Sequence, residues 1–523
     1  MFSNTNEHKN NFTKRSLTVA NRLRDAVKVN KNKKPIIEPV QSSASISLDE
    51  NITSFTGISA ALKILNNCGL PEEINEKLNI LRIHKPYMES DHILNIVINA
   101  LCGGKNLDDI DEIRKDTSFL NSINASSLPA PTTAGDFCRR FTEPDIAQLM
   151  DSINKCRINV WKKTQDEDFF NIAICDIDGT LANTNGRCKE HMDINYKGDW
   201  GYHPLVISFA KTGEILFVIN REGSAVSHED AETWIEKCSK MLFEAGFKRV
   251  QFRGDTDFSL TSYFDYWSSK RIEFVFGYDA KPSLVEIAEA IPKEDWESFE
   301  RYSKNIDNNV TRENQENHKR NRVIDREYSR KTTVKEEFIE FPYSPDKCKE
   351  TYNMIALKKK IDVYKGDKIT GSEDKYFFYI TNDPNLNPLE IIKNSNDRCN
   401  QENTIGDVKK GVNSFYLPMN TFESNWVWMV CTTLAWSVKA WFAFFLNIQE
   451  KKTVSDNKII FWPEKSKKAT TSELILKMEF KKFLNNFIRL RSKMLISVKK
   501  VYYQIVDYNE YLFSFVSLFN ALE

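Results

Sequence analysis

FFNIAICDIDGT (169–180) is the stretch on which the fold of this chain turns. It is a short apolar run of strand type that ends in two acids, Asp176 and Asp178. LVISFA (205–210) and EILFVIN (214–220) follow, joined by the turn Lys211-Thr212-Gly213, and read as a hairpin. His228 to Gly246 reads as a helix closed by a glycine cap. RVQFRGD (249–255) is another strand ending in an acid, Leu260 to Ser269 reads as a helix, and RIEFVFGYD (271–279) as a fifth strand.

Strand, hairpin strands, helix, strand, helix, strand is the pattern of an α/β mixed sheet, with the element order of a ribonuclease-H-like core. We place the first part of that core at 166–284. N-terminal to it, 51–165 is helical: ISAALKILNNCGL, SDHILNIVINALCGG and EPDIAQLMDSINKCRINVWKK each set apolar residues at three- and four-residue spacing. Ser90-Asp91 and Thr142-Glu143-Pro144 read as helix starts, and Gly103-Gly104 as a stop. Arg139 and Arg140 form a compact basic point among these helices, in what we expect to be a DNA-binding domain. Residues 1–50 read as a loose basic segment, with nine lysines and arginines between Lys9 and Lys34 against Glu7 and Asp25.

C-terminal to the first core segment, 285–385 reads as an insertion domain. Its strands are expected at VKEEFIEF, NMIALKKKIDVY and KYFFYIT. The second core segment, 386–450, is helical, and 451–523 is a basic helical region whose last helices run from about 472 to 519.

The chain has 523 residues and a formal net charge of zero, so any pull toward phosphate must come from local basic patches. No CxxC pair or His/Cys cluster has zinc spacing, and the ten cysteines read as reduced thiols, which places the protein in the cytoplasm. Trp426 to Ile448 is about long enough to span a bilayer. Lys439 near its centre makes a buried helix of a large core the better reading, with no membrane partner.

Asp178 and Asp255 lie just past the ends of expected strands. If those strands are neighbours, the two carboxylates meet at one sheet edge and offer the hard oxygen donors that suit Mg²⁺ or Mn²⁺. Two such ions can activate a water or a 3′-hydroxyl for in-line displacement at phosphorus. A third carboxylate is needed from a helix, and Glu402 is the candidate. Asp176 shares a strand face with Asp178, and Asp257 neighbours Asp255, so both stand as auxiliary candidates, as does Asn403.

Here the sequence resembles the DDE transposases of bacterial insertion sequences, in particular the thirteen-eighty group. Their hallmark is a Tyr, two residues, an Arg, three residues, a Glu, six residues and a Lys. This chain has Arg398, Glu402 and Lys409 at that spacing, with Ser395 at the tyrosine position. CDIDGT, GYHPL (201–205), FRGDTDFSLT (252–261), FVFGYDA (274–280), FYITND (378–383), RCNQEN (398–403) and SNWVWMV followed by LAWSVKAW also resemble the group.

The resemblance implies that Asp178, Asp255 and Glu402 are catalytic and hold two Mg²⁺ or Mn²⁺ ions, and that Arg398 and Lys409 contact phosphates near the scissile bond. It implies double-stranded DNA as partner, both transposon ends and target, a homodimer on that DNA, and a place at the bacterial nucleoid.

Two other classes compete. DIDGTLAN after a strand also opens haloacid-dehalogenase-type phosphatases, in which Asp176 would be the nucleophile and Asp178 a general acid. A transposase-derived DNA-binding protein whose catalysis has lapsed is the non-enzymatic alternative. His203 reads as a structural turn residue before Pro204, and Trp426, Trp428, Trp436 and Trp441 as a packing stripe.

Overall fold

The computed structural model describes residues 51–84, 86–300, 327–455, 470–497 and 500–522. The basic segment 1–50 therefore lies outside the described residues, as does much of the polar stretch after residue 300. The chain divides into two compact units. Of the described residues, the larger takes those within 51–279, 340–355 and 378–522, and the smaller those within 280–300, 327–339 and 356–377.

The larger unit is built on a mixed sheet. Its central strand is β1 (Ile172–Gly179). On one side β1 pairs antiparallel with β2 (Leu205–Phe209), which continues antiparallel into β3 (Glu214–Ile219). On the other side it pairs parallel with β4 (Arg249–Gly254), and β4 pairs parallel with β5 (Ile272–Tyr278). Phe378–Thr381 then close that side of the unit's sheet, antiparallel to β5. Every residue of β2 and β3 is buried, and apart from Ser208 and Glu214 these strands are apolar throughout, as expected where both faces are covered.

Helices cover the sheet. In the N-terminal region lie α1 (Thr56–Asn67), α2 (Leu70–Lys77), α3 (Glu89–Cys102), α4 (Pro131–Cys138) and α5 (Glu143–Thr164). The Asp145 carboxylate accepts from the Thr142 N–H at 2.9 Å at the start of α5, and Gly103 ends α3 in the left-handed region. α6 (Ala231–Ala245) buries Trp234, Ile235, Cys238 and Leu242 and stops at Gly246, whose φ of 111° only glycine adopts freely.

α7 (Phe422–Ser455) packs on β3 and on α5. Its segment Phe422–Gln449 is long and apolar enough to cross a membrane, and its apolar core is wholly buried within the protein. The tryptophans there are packing residues whose indole N–H groups find buried partners: Trp426 donates to the Val218 carbonyl at 2.6 Å and Trp436 to that of Gly213 at 2.7 Å, while Trp441 donates to a side chain. Lys439 is buried too. Its Nζ donates to the carbonyls of Met478 (2.8 Å) and Leu476 (3.3 Å), closing the end of the helix Thr471–Lys477. Burial pushes this ammonium down to about 8, against the opposing pull of Asp407.

A second buried charge lies deeper. Glu214 is fully buried and accepts from Arg157 Nε (3.1 Å), Trp161 Nε1 (3.0 Å), Trp441 Nε1 (2.7 Å) and Thr212 Oγ1 (2.9 Å). Arg157 also donates to the Ile215 carbonyl (2.8 Å) and to Ser437 (3.1 Å). One carboxylate thus ties α5, β3 and α7 together.

The C-terminal region departs from the all-helical expectation. After Leu484–Ile488 the chain forms a hairpin, Ser492–Ile496 with Val501–Ile505, and Ile52–Thr53 adds a third strand beside Ser492 and Lys493. The β-branched and aromatic content of VYYQI favours strand over the helix expected there. A helix, Leu512–Ala521, does follow.

In the smaller unit, Glu297–Ser298 pairs with Phe338 and Glu337 of the long strand Ser329–Tyr343. Tyr352–Lys365 and Lys368–Thr381 are the next strands along the chain, each longer than the expected segments, and the smaller unit holds 356–365 and 368–377 of them. Lys358 pairs with Asp374 at 2.9 Å and Lys359 with Glu336 at 3.2 Å, so much of this unit's charge is balanced across strands.

Candidate active site

The register of β1 and β4 brings the first two acids together. Ile172 faces Arg249 and Asp176 faces Arg253 in parallel pairing. Two residues on in each strand come Asp178 and Asp255, so they occupy equivalent positions on neighbouring strands, where backbones run about 4.8 Å apart. Asp255 follows the last residue of β4 and starts a single turn, Thr256–Phe258, its carboxylate accepting from the Asp257 N–H at 3.1 Å. Both acids line a cavity of about 640 Å³, together with Asp257, Lys409, His203 and Lys197.

Asp176 does not join them. It is buried, and its carboxylate forms a forked pair with Arg253 at 2.6 and 2.9 Å. The auxiliary role considered for it gives way to this pairing: a carboxylate that fills both its oxygens with one guanidinium is a packing element. The same pairing disables the phosphatase reading, which needs Asp176 as a free nucleophile.

Two helices bring the remaining residues. α8 (Pro388–Asp397) begins at an Asn387–Glu390 capping box, and Cys399–Gly411 follows across Arg398. Ser395 is half-buried on α8. Arg398 Nη1 stands 3.4 Å from Asp178 Oδ2, with both side chains largely covered. Lys409 reaches back to the Leu181 carbonyl at 2.8 Å, and burial holds its ammonium below the usual lysine range. Glu402 and Asn403 are exposed and do not line the cavity. Arg139 and Arg140 are exposed after α4, Arg139 paired with Asp136, and neither lines the cavity.

The electrostatics mark the acids as a site short of positive charge. Burial first, and then the neighbouring Asp255 carboxylate, push the Asp178 carboxyl up to about 6. Arg398 pulls the other way and Glu402 adds to the rise. Burial also raises Asp255, with Arg398 opposing and Asp257 reinforcing. One arginine at 3.4 Å is therefore outweighed. Among the described residues, no three His, Cys, Asp or Glu side chains already stand close enough to hold one ion. The donor set fits a hard divalent cation by its chemistry: oxygen ligands only, with carboxyls whose ionisation an added cation would favour.

His203 sits at the turn expected of it, Nδ1 donating to the Ala225 carbonyl at 2.6 Å, yet it also faces the cavity. A Cβ on Gly179 would fall 2.7 Å from His203 Nε2, so the residue after Asp178 must be glycine for the ring to lie there. Two residues escaped the sequence reading. Arg253 lies two before Asp255 and opposite Asp176, a signal legible only once the register is known. Gln401 is hidden beside Glu402: its Nε2 donates to the carbonyls of Asp176 (2.8 Å) and Val206 (3.1 Å).

This arrangement defines a mixed-sheet α/β protein with an acidic site at one strand edge. The chain matches the family model "Transposase DDE domain group 1" over residues 45–459 and belongs to that family. It is a DDE-family transposase, as the resemblance in its motifs implied. No curated protein matches it. Among solved structures, the piggyBac transposase in a synaptic complex with hairpin DNA matches at 9% identity and a TM-score of 0.35, covering 83% of this chain and 81% of that one.

Proposed function

We propose that this protein is the transposase of an insertion sequence of the thirteen-eighty type. It binds the ends of the element, hydrolyses a phosphodiester there to free a 3′-hydroxyl, and joins that hydroxyl to target DNA. The observation that carries the reading is the equivalent placement of Asp178 and Asp255 on adjacent parallel strands, with the helix that bears Glu402 seated on the same strand. The strand order β3-β2-β1-β4-β5, antiparallel up to β1 and parallel after it, supports a ribonuclease-H-like core.

Asp178, Asp255 and Glu402 would hold two Mg²⁺ or Mn²⁺ ions. When bound, such ions favour the deprotonated nucleophile and neutralise charge at the transferring phosphoryl group. Arg398, released from Asp178, would fork onto a phosphate, and Lys409 would add a point charge from the cavity wall. The chain's other contribution is positioning, because little covalent chemistry is asked of it. A homodimer on DNA follows from the need to join two ends.

The test is cleavage of DNA carrying the element's ends. Cleavage is expected with Mg²⁺ or Mn²⁺ and absent in chelator. Asp178→Asn and Glu402→Gln should each lose at least about 10³-fold in rate, about 4 kcal/mol of barrier, while still binding the ends. Full cleavage by either variant overturns the assignment. Robust hydrolysis of a small phosphomonoester, lost in Asp176→Asn, would favour the phosphatase instead.

A further inference from the structure

Gln401 is almost fully buried, and both hydrogens of its carboxamide are committed. One goes to the Asp176 carbonyl at 2.8 Å and the other to that of Val206 at 3.1 Å. These acceptors lie on two neighbouring strands, and Val206 is the cross-strand partner of Asp178. The amide cannot be turned over, because its oxygen would then face two carbonyls. Its oxygen is buried with no partner among the described residues. An orphaned acceptor costs about 1–3 kcal/mol, so stability alone does not explain a glutamine here.

We infer that Gln401 is the positioning residue for the third carboxylate: it fixes the helix Cys399–Gly411 on β1 and β2 so that Glu402 stands at a set rotation beside Asp178. Successive residues of a helix point about 100° apart, so a helix that slips or turns on this anchor carries the adjacent Glu402 away from the acids. Unlike Glu402, Gln401 touches neither ion nor substrate. The inference rests on the metal-site reading of the proposed function.

The experiment titrates the full-length chain with Mn²⁺ alone, following free Mn²⁺ by electron paramagnetic resonance, and records thermal melting in chelator. Gln401→Met keeps length and volume, removes both donors and also removes the orphaned oxygen. We expect it to bind Mn²⁺ about tenfold more weakly, as outer partners of metal ligands do, with a melting temperature within about 2 °C of wild type. Adding Gln401→Met to Glu402→Gln should cost no further affinity, because the anchor acts through the carboxylate already removed.

Wild-type affinity in Gln401→Met, or a loss additive with that of Glu402→Gln, overturns the inference while the metal site stands. A folded wild type that takes up no Mn²⁺ sinks the metal site and this inference together. If Gln401→Met does not fold, Gln401→Asn, one methylene shorter, is read on the same titration with the same two outcomes.

Discussion

Glu214 and Asp178 are both acids of the same sheet, and their surroundings are opposites. Glu214 is sealed in the core and receives four hydrogen bonds, from Arg157, Trp161, Trp441 and Thr212. Asp178 is half-buried at a strand end, with one ion pair at 3.4 Å and with Asp255 and Glu402 raising its carboxyl. A carboxylate whose lone pairs are all answered holds segments together. One left short of positive charge is kept at a cost, and an arriving cation removes that cost.

The comparison can be broken most sharply at its structural end. Glu214→Ala should destabilise the protein by about 3–5 kcal/mol, because it strands the Arg157 guanidinium in the core. Chemical denaturation of the soluble fraction would measure this, and a loss under about 1 kcal/mol would mean that the network is ornamental.

The functional end predicts the reverse sign. A carboxyl raised from its ordinary value to about 6 binds its proton more tightly folded than unfolded. Stability therefore falls as pH rises from about 4 to about 6, and above that window the ionised Asp178 costs about 1–3 kcal/mol. In chelator at neutral pH, Asp178→Asn should melt a few degrees above wild type, about 2–4 °C. An unchanged or lower melting temperature would remove the contrast with Glu214.

The smallest effect concerns protons and metal together. Below pH 6, Mn²⁺ must displace the Asp178 proton, so affinity should fall by up to about tenfold per pH unit, and it should level off above about pH 7. An affinity flat from pH 5 to 8 would contradict the raised carboxyl.

Much of this was legible in the sequence, for physical reasons that differ by element. The five core strands were read to within three residues at each end, because apolar runs bounded by turns and acids have little other use. The buried helix after Phe422 was legible through Lys439, although its role in closing another helix was not. The C-terminal hairpin was missed because short amphipathic segments satisfy both periods. Asp178 and Asp255 could be paired only on the assumption that their strands were neighbours, and the register supplied that. Asp176 and Gln401 were beyond reach. Their roles depend on Arg253, 77 residues away, and on two backbone carbonyls, which leave no pattern in a linear string.

The Glu214 network also sets a timetable for synthesis. Trp441 lies 227 residues after the acid it serves. At about 5–20 residues per second, a ribosome takes roughly 11–45 s to make the intervening chain. Throughout that interval β3 has been produced without the helix that covers it, and its charged residue lacks one of its donors. The nascent sheet is thus a natural client for whatever shields sticky surfaces near the exit tunnel.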